Sequence, residues 1–544
     1  MKYIFISGGV VSGLGKGITA ASIGLLLESR GYVVTNVKID MYLNIDAGTI
    51  RPQEHGEVFV CDDGIETDQD LGNYERFLGK SLRRENYMTT GQVYWTVIAK
   101  ERAMEYKGED VEAIPHLTDE ISRRIKTAGK VNGAEIVVVE LGGTVGEYQN
   151  GIFYEASRIM KLQQPKDVIQ IHVSYLPVIK SLGELKSKPA QQSVHLLNSM
   201  GIMPDFLVAR SEKEIDQKRR ERLAMFCNMN DGDIIVNPDL DNIYEVPIFL
   251  EKQKFSDKII KKLHLRKKNK NNKLSEWKKF VEKLKNPREE VKIAMVGKYF
   301  ATGDFKLNDS YLCVLEALKH AGAVAGVKVV VEAINAEDIE EVGAEKRLEG
   351  YGGIIVPQGW GLRGVEGKVK AVEYARKNKI PYLGLCFGMQ MAVIEYARNV
   401  LGLKDANSEE VNPKTKYPVI HVMPDQKEYL EKHQYGGTIR LGAWPCKINE
   451  GTLLEKIYGD NLVKERHRHR YEFNNEFREK LEKAGMVISG TSPDGKLVEA
   501  VELKNHPFFV GTQFHPEYKS RPLEPHPIFV EFIKAVCDLP KIPR

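Results

Sequence analysis

Two sets of residues have the types and spacing for chemistry, one near each end of the chain. The first is Ser7-Gly8-Gly9-Val10-Val11-Ser12-Gly13-Leu14-Gly15-Lys16-Gly17, entered from the apolar run Ile4-Phe5-Ile6. Glycines let backbone N–H groups close around phosphate oxygens, and a helix opening behind them adds its positive dipole end. Lys16 brings a mobile positive charge that can follow a transferring phosphoryl group. The spacing departs from G-x-x-x-x-G-K-[ST]: Val10 stands five residues before Gly15, and Gly17 takes the Ser/Thr position. With no hydroxyl there for Mg²⁺, carboxylates elsewhere must hold the metal. A ligand-free strand-to-helix turn is the competing reading, and the glycines together with the lysine favour a nucleotide.

The second set is Gly384-Leu385-Cys386-Phe387-Gly388-Met389-Gln390, an apolar strand broken at a cysteine and continued as a helix. It has the form of a nucleophile elbow with cysteine in place of serine, and the helix N-terminus favours the reactive thiolate. A partner lies far along the chain, where a strand-like run ends in His515-Pro516-Glu517. His515 can share the thiol proton and later protonate a leaving amine, while Glu517 fixes the imidazole tautomer. Gly359, after another strand, can join Phe387 in offering backbone N–H groups to a tetrahedral oxyanion. His467 and His469 in Arg466-His467-Arg468-His469-Arg470 have no third ligand nearby, so a polar or anion-contacting face is the better reading than a metal site.

The carboxylates for the first set are found further on. Residues 135–140 form a buried-strand pattern ending in Glu140, and Asp68 and Asp70 alternate in a polar segment. Hard cations take such oxygens together with waters and substrate phosphate, which makes Asp70 and Glu140 the natural pair. Lys38 ends a strand over residues 33–39, where open α/β sheets meet their ligands. The run Lys186-Ser187-Lys188-Pro189-Ala190-Gln191 suits a loop around a triphosphate better than an exposed helix.

The positioning elements read as alternating strands and helices. Helix 18–30 follows the glycine loop, with strands expected over 168–173, 205–209 and 233–236. A second alternation starts at 291, with a helix near 309–321 and strands over 328–333 and 353–356. The reading is therefore α/β, two doubly wound domains with mainly parallel sheets: 1–257, a basic linker over 258–287 with one helix, and 288–544. The polar segment 44–72 is too long for a plain connector. A formal net charge of +4 on 544 residues argues against a nucleic-acid binder, and six scattered cysteines without a C-x-x-C pair argue against zinc or disulfides. The chain starts on a core strand rather than a signal peptide and has no membrane-length apolar run, so a cytoplasmic protein with no membrane partner is expected.

Gly384-x-Cys386-x-Gly388-x-Gln390 with Phe514-His515-Pro516-Glu517 resembles the Cys-His-Glu domain of class I glutamine amidotransferases. The glycine loop, His55-Gly56-Glu57-Val58-Phe59-Val60 and Glu140-Leu141-Gly142-Gly143-Thr144-Val145-Gly146 resemble the synthetase domain of the CTP synthase family, and the likeness runs the length of the chain. The resemblance implies a ligase with two stages. ATP phosphorylates O4 of UTP, and ammonia released from glutamine then displaces phosphate at C4 to give CTP. It implies ATP at Ser12, Gly13, Leu14, Gly15, Lys16 and Gly17, with Pro238, Asp239 and Leu240 near adenine, and Mg²⁺ on Asp70 and Glu140. Lys16 and Lys38 would steady the transferred phosphoryl group. UTP or CTP would meet Ser12, Glu147, Tyr148, Gln149, the 186–191 run and Arg222. Glutamine would meet Gly359, Phe387, Gly388, Met389, Gln390, Glu410 and Arg470, and His55 would line the ammonia entrance. GTP as activator, with Arg363-Gly364-Val365-Glu366-Gly367-Lys368 as its lid loop, CTP as feedback inhibitor and a homotetramer with nucleotide sites between subunits are implied as well.

Three departures stand out. Gln358-Gly359-Trp360-Gly361 replaces a Gly-Gly-Phe-Gly common in the family, Arg222 replaces a lysine, and Gln149 replaces an acid near the cytosine position. Two other readings compete: a ligase that amidates a carboxylate of a cofactor precursor, and a nucleotide-dependent assembly switch. The second leaves Cys386, His515 and Glu517 without a task.

Overall fold

The computed structural model describes residues 1–539 except 180, 182, 299–300, 303–304, 307–309, 424–425, 427, 430–431 and 433–435, and leaves aside the side chains at 53, 55, 301–302 and 305–306. The chain forms two compact units, Met1–Asp46 with Asp70–Val281, and Ala47–Gln69 with Glu282–Arg544.

The first unit is built on seven strands: β1 (Lys2–Gly9), β2 (Val34–Asp40), β3 (Tyr87–Thr89), β4 (Ile136–Leu141), β5 (Val168–Leu176), β6 (Phe206–Ser211) and β7 (Ile234–Pro238). Their order is β7-β6-β5-β1-β4-β2-β3, and every neighbouring pair is parallel. Parallel strands bury both faces, which is why β2 and β4 are buried at every residue; β4 reads as a near-continuous apolar run, whereas β2 buries Thr35, Asn36, Lys38 and Asp40 as well. The chain leaves β1 toward β3 and later leaves β5 toward β7, so the carboxyl end of β1 lies at a topological switch point. There α1 (Lys16–Ser29) begins, capped by Gly15 in the left-handed region at φ 79°.

Three more helices matter here: α2 (Asp70–Leu78), α3 (Lys188–Ser199) and α4 (Lys273–Lys285). The last is the helix expected in the linker, and it is docked rather than solvated. Trp277, Phe280 and Val281 form a stripe at helical spacing. Trp277 is 0% exposed, donates from Nε1 to the Tyr244 carbonyl at 2.8 Å, and lies with its centroid 4.9 Å from that of Phe77. This packing carries the first unit on to Val281.

The main sheet of the second unit has nine strands: β8 (Glu290–Gly297), β9 (Lys328–Asn335), β10 (Gly353–Val356), β11 (Tyr382–Leu385), β12 (Arg440–Ile448), β13 (Leu462–His469), β14 (Met486–Thr491), β15 (Val498–Leu503) and β16 (Phe509–Thr512). The order is β9-β8-β10-β11-β16-β15-β14-β12-β13. From β9 to β16 the neighbours are parallel, and from β16 onward the sheet continues as an antiparallel wing. Helices α5 (Val365–Asn378) and α6 (Phe387–Asn399) pack on the parallel part.

The contact division is discontinuous where the sequence reading drew one boundary. Ala47–Gln69 groups with the second unit because β12 and β13 engage it: Ala443 N donates to Asp62 O at 2.9 Å, and Arg466 Nη1 to Val60 O at 3.0 Å.

Candidate functional sites

At the first site the glycine loop joins β1 to α1, and Lys16 opens the helix with its Nζ donating to Gly143 O at 2.7 Å. Burial pushes the Lys16 ammonium below the ordinary lysine range, against the pull of Glu140. Lys38, near the carboxyl end of β2, donates to Asp70 and to Glu140 Oε1 at 3.1 Å, and lies 3.7 Å from Asp40 Oδ1. Burial raises the Glu140 carboxyl, and the Lys38 ammonium opposes the shift. Tyr74, from α2, donates its hydroxyl to the same carboxylate.

Two lysines and three carboxylates thus converge where β1, β2 and β4 end. Gly17 has a steric reason: a Cβ there would strike the Asp70 carboxylate, which fills the space a Ser or Thr side chain would take. The oxygens of Asp70 and Glu140 are the hard donors that Mg²⁺ takes. Among the described residues no three His, Cys, Asp or Glu side chains form a ready metal cage.

Residues outside the sequence reading support this pocket. His172 bridges Ser7 Oγ (2.8 Å from Nδ1) and Ser193 Oγ (3.1 Å from Nε2) beneath the loop, and burial pulls its pKa down to about 3, so the ring is neutral. Arg210, near the end of β6, donates to Asn237 O and Pro238 O, both at 2.9 Å, and to Asp239 Oδ1 at 2.7 Å. A Cβ on Gly15 would lie 4.0 Å from its Nε, so Arg210 links Pro238 and Asp239 to the glycine loop. Neither residue belongs to a short motif; only the strand order brings them in.

The other residues expected around a nucleotide are more dispersed. Glu147 accepts from both the N–H and the hydroxyl of Thr144 at 2.6 Å, while Tyr148 and Gln149 are exposed. Lys188, Pro189, Ala190 and Gln191 are not a loop: they form the first turn of α3, where Pro189 fits because an N-terminal N–H has no partner within the helix. An anion is served as well by that helix end as by a loop. Arg222 is exposed on the helix Gln217–Phe226, over the Phe226 ring at 5.7 Å. The side chain of His55 lies outside the described residues.

At the second site Cys386 sits between β11 and α6 at φ 51°, ψ −99°, a strained conformation for a residue with a Cβ. The elbow closes because Gly388 has no side chain: a Cβ there would run into the Val356 carbonyl. Cys386 and His515 line one cleft. His515 Nδ1 is 2.7 Å from Glu517 Oε1. Its Nε2 is buried with no hydrogen-bond partner among the described residues, which leaves it to the sulfur. Burial alone would discharge the imidazolium, but Glu517 and the Cys386 thiolate outweigh it and lift His515 to about 10. The Tyr518 ring stacks on His515, with centroids 5.0 Å apart and planes 16° from parallel.

Of the residues expected around glutamine, Gly359, Phe387, Gln390, Glu410 and Arg470 line this cleft. Gly388 and Met389 do not; they are buried behind it in the packing of α6 on the sheet. Glu410 accepts from Gly361 N at 2.7 Å, and burial raises its carboxyl. Arg470 donates to Gln426 Oε1 at 2.9 Å and Thr438 Oγ1 at 3.0 Å. Gln358, Trp360, Arg468, His469 and Tyr471 also line the cleft, and Gln513 donates to Cys386 Sγ at 3.4 Å while accepting from Gln390 at 3.2 Å. The 363–368 run is partly helical, since α5 starts at Val365. His467 and His469 are 3.0 Å apart and face Glu499 and Arg440, as a buried polar face.

A doubly wound unit with a lysine and carboxylate phosphate pocket, joined to a Cys-His-Glu elbow unit, defines a glutamine-dependent amidotransferase. The family profile "CTP synthase N-terminus" matches residues 2–265, and "Glutamine amidotransferase class-I" matches residues 306–535. The CTP synthase of Caldanaerobacter subterraneus subsp. tengcongensis is 52% identical over 99% of this chain and 98% of its own length. That of Carboxydothermus hydrogenoformans is 53% identical over 98% of each chain, and that of Bacillus subtilis is 50% identical over 98% of each. Among solved structures, the glutaminase domain of Trypanosoma brucei CTPS with bound acivicin is 40% identical over 45% of this chain and 94% of its own, at a TM-score of 0.42. The chain belongs to the CTP synthase family.

Proposed function

We propose that this chain makes CTP from UTP, ATP and glutamine. The observation that carries the reading is the presence on one polypeptide of both a phosphate pocket and a preassembled thiol, imidazole and carboxylate cleft.

In the cleft, the Cys386 thiolate attacks the glutamine amide carbon, with Gly359 and Phe387 placed to offer N–H groups to the developing oxyanion. The His515 imidazolium protonates the departing nitrogen, and ammonia leaves a glutamyl thioester. His515, now neutral, takes a proton from water as the oxygen attacks the thioester; glutamate and the thiolate–imidazolium pair result. A His515 held at about 10 keeps the imidazolium charged through neutral pH.

At the phosphate pocket, O4 of UTP attacks the γ-phosphorus of ATP and ADP leaves. Ammonia then adds at C4, and phosphate departs with the former O4. Lys16 and Lys38, held beside Gly143 and Glu140, would steady the transferred group as charge builds on it. Asp70 and Glu140 would hold Mg²⁺, which neutralises phosphate charge when bound. Ser12 to Gly17 would cradle ATP, with Asp239 and Leu240 on the adenine side.

Arg222 lies exposed on its own subunit, as a nucleotide site shared with a neighbour in a homotetramer requires. GTP as activator and CTP as inhibitor belong to the same reading. Among the described residues no helix is long and apolar enough to cross a membrane, in keeping with a cytoplasmic enzyme. The test is CTP formation from UTP, ATP and Mg²⁺ with ammonium or glutamine, with and without GTP. CTP from both nitrogen sources is the expected result; none from ammonium rejects the reading.

A further inference from the structure

The Arg466 to His469 run, whose alternation suggested an anion-contacting face, meets its anions within the chain. Successive side chains of a strand point to opposite faces. His467 and His469 turn toward Glu499 and Arg440, and Arg466 and Arg468 turn toward Ala47–Gln69. Arg466 Nε donates to Asp62 Oδ1 at 2.6 Å, with its guanidinium 5.3 Å over the Phe59 ring. Arg468 Nε donates to Glu66 Oε1 at 2.8 Å and Nη2 to Gly48 O at 3.2 Å. Gly48 is part of the fit, since a Cβ there would collide with the Glu66 carboxylate.

The same segment reaches the thiol cleft by three routes. The Arg468 guanidinium lies 5.7 Å over the Trp360 ring, and the Arg468 carbonyl is 3.9 Å from Cys386 Sγ. Glu57 accepts from Gln358 Nε2 and from Cys313 N, both at 2.7 Å, so it holds the other flank of Gly359. Tyr518, stacked on His515, donates its hydroxyl to Val58 O at 3.0 Å and meets the Phe59 ring edge-on at 5.3 Å.

We propose that Ala47–Gln69 is an intramolecular clasp in which Glu66, acting through Arg468, positions the 358–360 loop against Cys386. Glu66 is a positioning residue: it touches neither thiol nor substrate. Its carboxylate is 3% exposed, so neutralising it strands a largely buried guanidinium beside the cleft. The effect on glutamine turnover rests on the function proposed above.

The test is Glu66→Gln in the full chain, read by glutamate release and by CTP formation from ammonium. Glu66→Gln lowers kcat/KM for glutamine by about tenfold. CTP formation from ammonium stays within about twofold of the parent, and Glu66→Asp, which keeps the charge, restores most of the loss. Tyr518→Phe, which removes only the hydroxyl held by Val58, shifts glutamine turnover the same way by a smaller factor. Parental glutamine kinetics in Glu66→Gln overturns the clasp. Equal loss of the ammonium-driven reaction overturns it too, because that marks a general structural role. Failure of the unmodified chain to make CTP rejects the proposed function instead, and glutamate release still reads the effect of Glu66.

Discussion

The two sites hold buried charge in opposite ways. In the phosphate pocket, Lys38 is engaged by Asp40, Asp70 and Glu140, and Lys16 by a backbone carbonyl. These are partners that phosphate and a divalent cation can exchange. In the cleft the charges are committed to one another: Glu517 to His515, and His515 to Cys386, beside a strained backbone that aims the sulfur. A site that handles highly charged substrates keeps its own ions mutually neutralised until the substrate arrives. A site whose substrate is an amide must generate its charge in advance, and so it is preassembled.

Four substitutions break or sharpen this contrast, in decreasing size of effect. Cys386→Ala removes all glutamine-dependent CTP formation and leaves the ammonium-driven reaction, measured side by side; loss of both would join the sites in a way the contrast forbids. Lys16→Ala lowers both reactions by about 10³-fold, since it takes away a charge aimed at the transferred phosphoryl group. Survival of either would separate Lys16 from phosphoryl transfer.

Glu517→Gln lowers kcat for glutamine hydrolysis by about 10²-fold and moves the alkaline limb of its pH profile to lower pH. The sign follows from the raised imidazole, from 6.5 to about 10, for which Glu517 is the leading favourable cause. The same shift means that the charged pair adds stability in full below about pH 6.5 and loses it as pH climbs through about 10. Trp277→Ala touches neither site: it costs about 3–5 kcal/mol of stability in denaturant unfolding of the first unit, with both reactions close to parental at low temperature.

How much was legible in the sequence differs between elements. The β1 to α1 turn and the Cys386 elbow are local: their glycines, lysine and cysteine lie within a dozen residues, and short-range sterics dictate their shape. The parallel strands show as apolar runs for the same reason. The antiparallel wing was not read, because β13 alternates arginine with histidine and carries no apolar period. Helix α4 was read as part of a basic spacer, since one tryptophan among lysines weighs little in composition but decides burial. The 186–191 run was read as a loop, although proline near a helix start is compatible with a first turn.

By itself, then, the sequence determined the chemistry on offer: a thiol at an elbow, an imidazole with its carboxylate two residues on, a lysine in a glycine loop, and acids at strand ends. Tertiary structure alone decided which distant groups serve that chemistry. Arg210 reaches the glycine loop, Gln513 and Arg468 reach the sulfur, and Ala47–Gln69 joins the second unit although it is bounded on both sides by the first. The reason is range. Backbone sterics and hydrophobic period act over a few residues and leave a mark on the string, whereas an ion pair such as Glu66 with Arg468 spans hundreds of residues and exists only once two sheets have formed and their strands have chosen their faces.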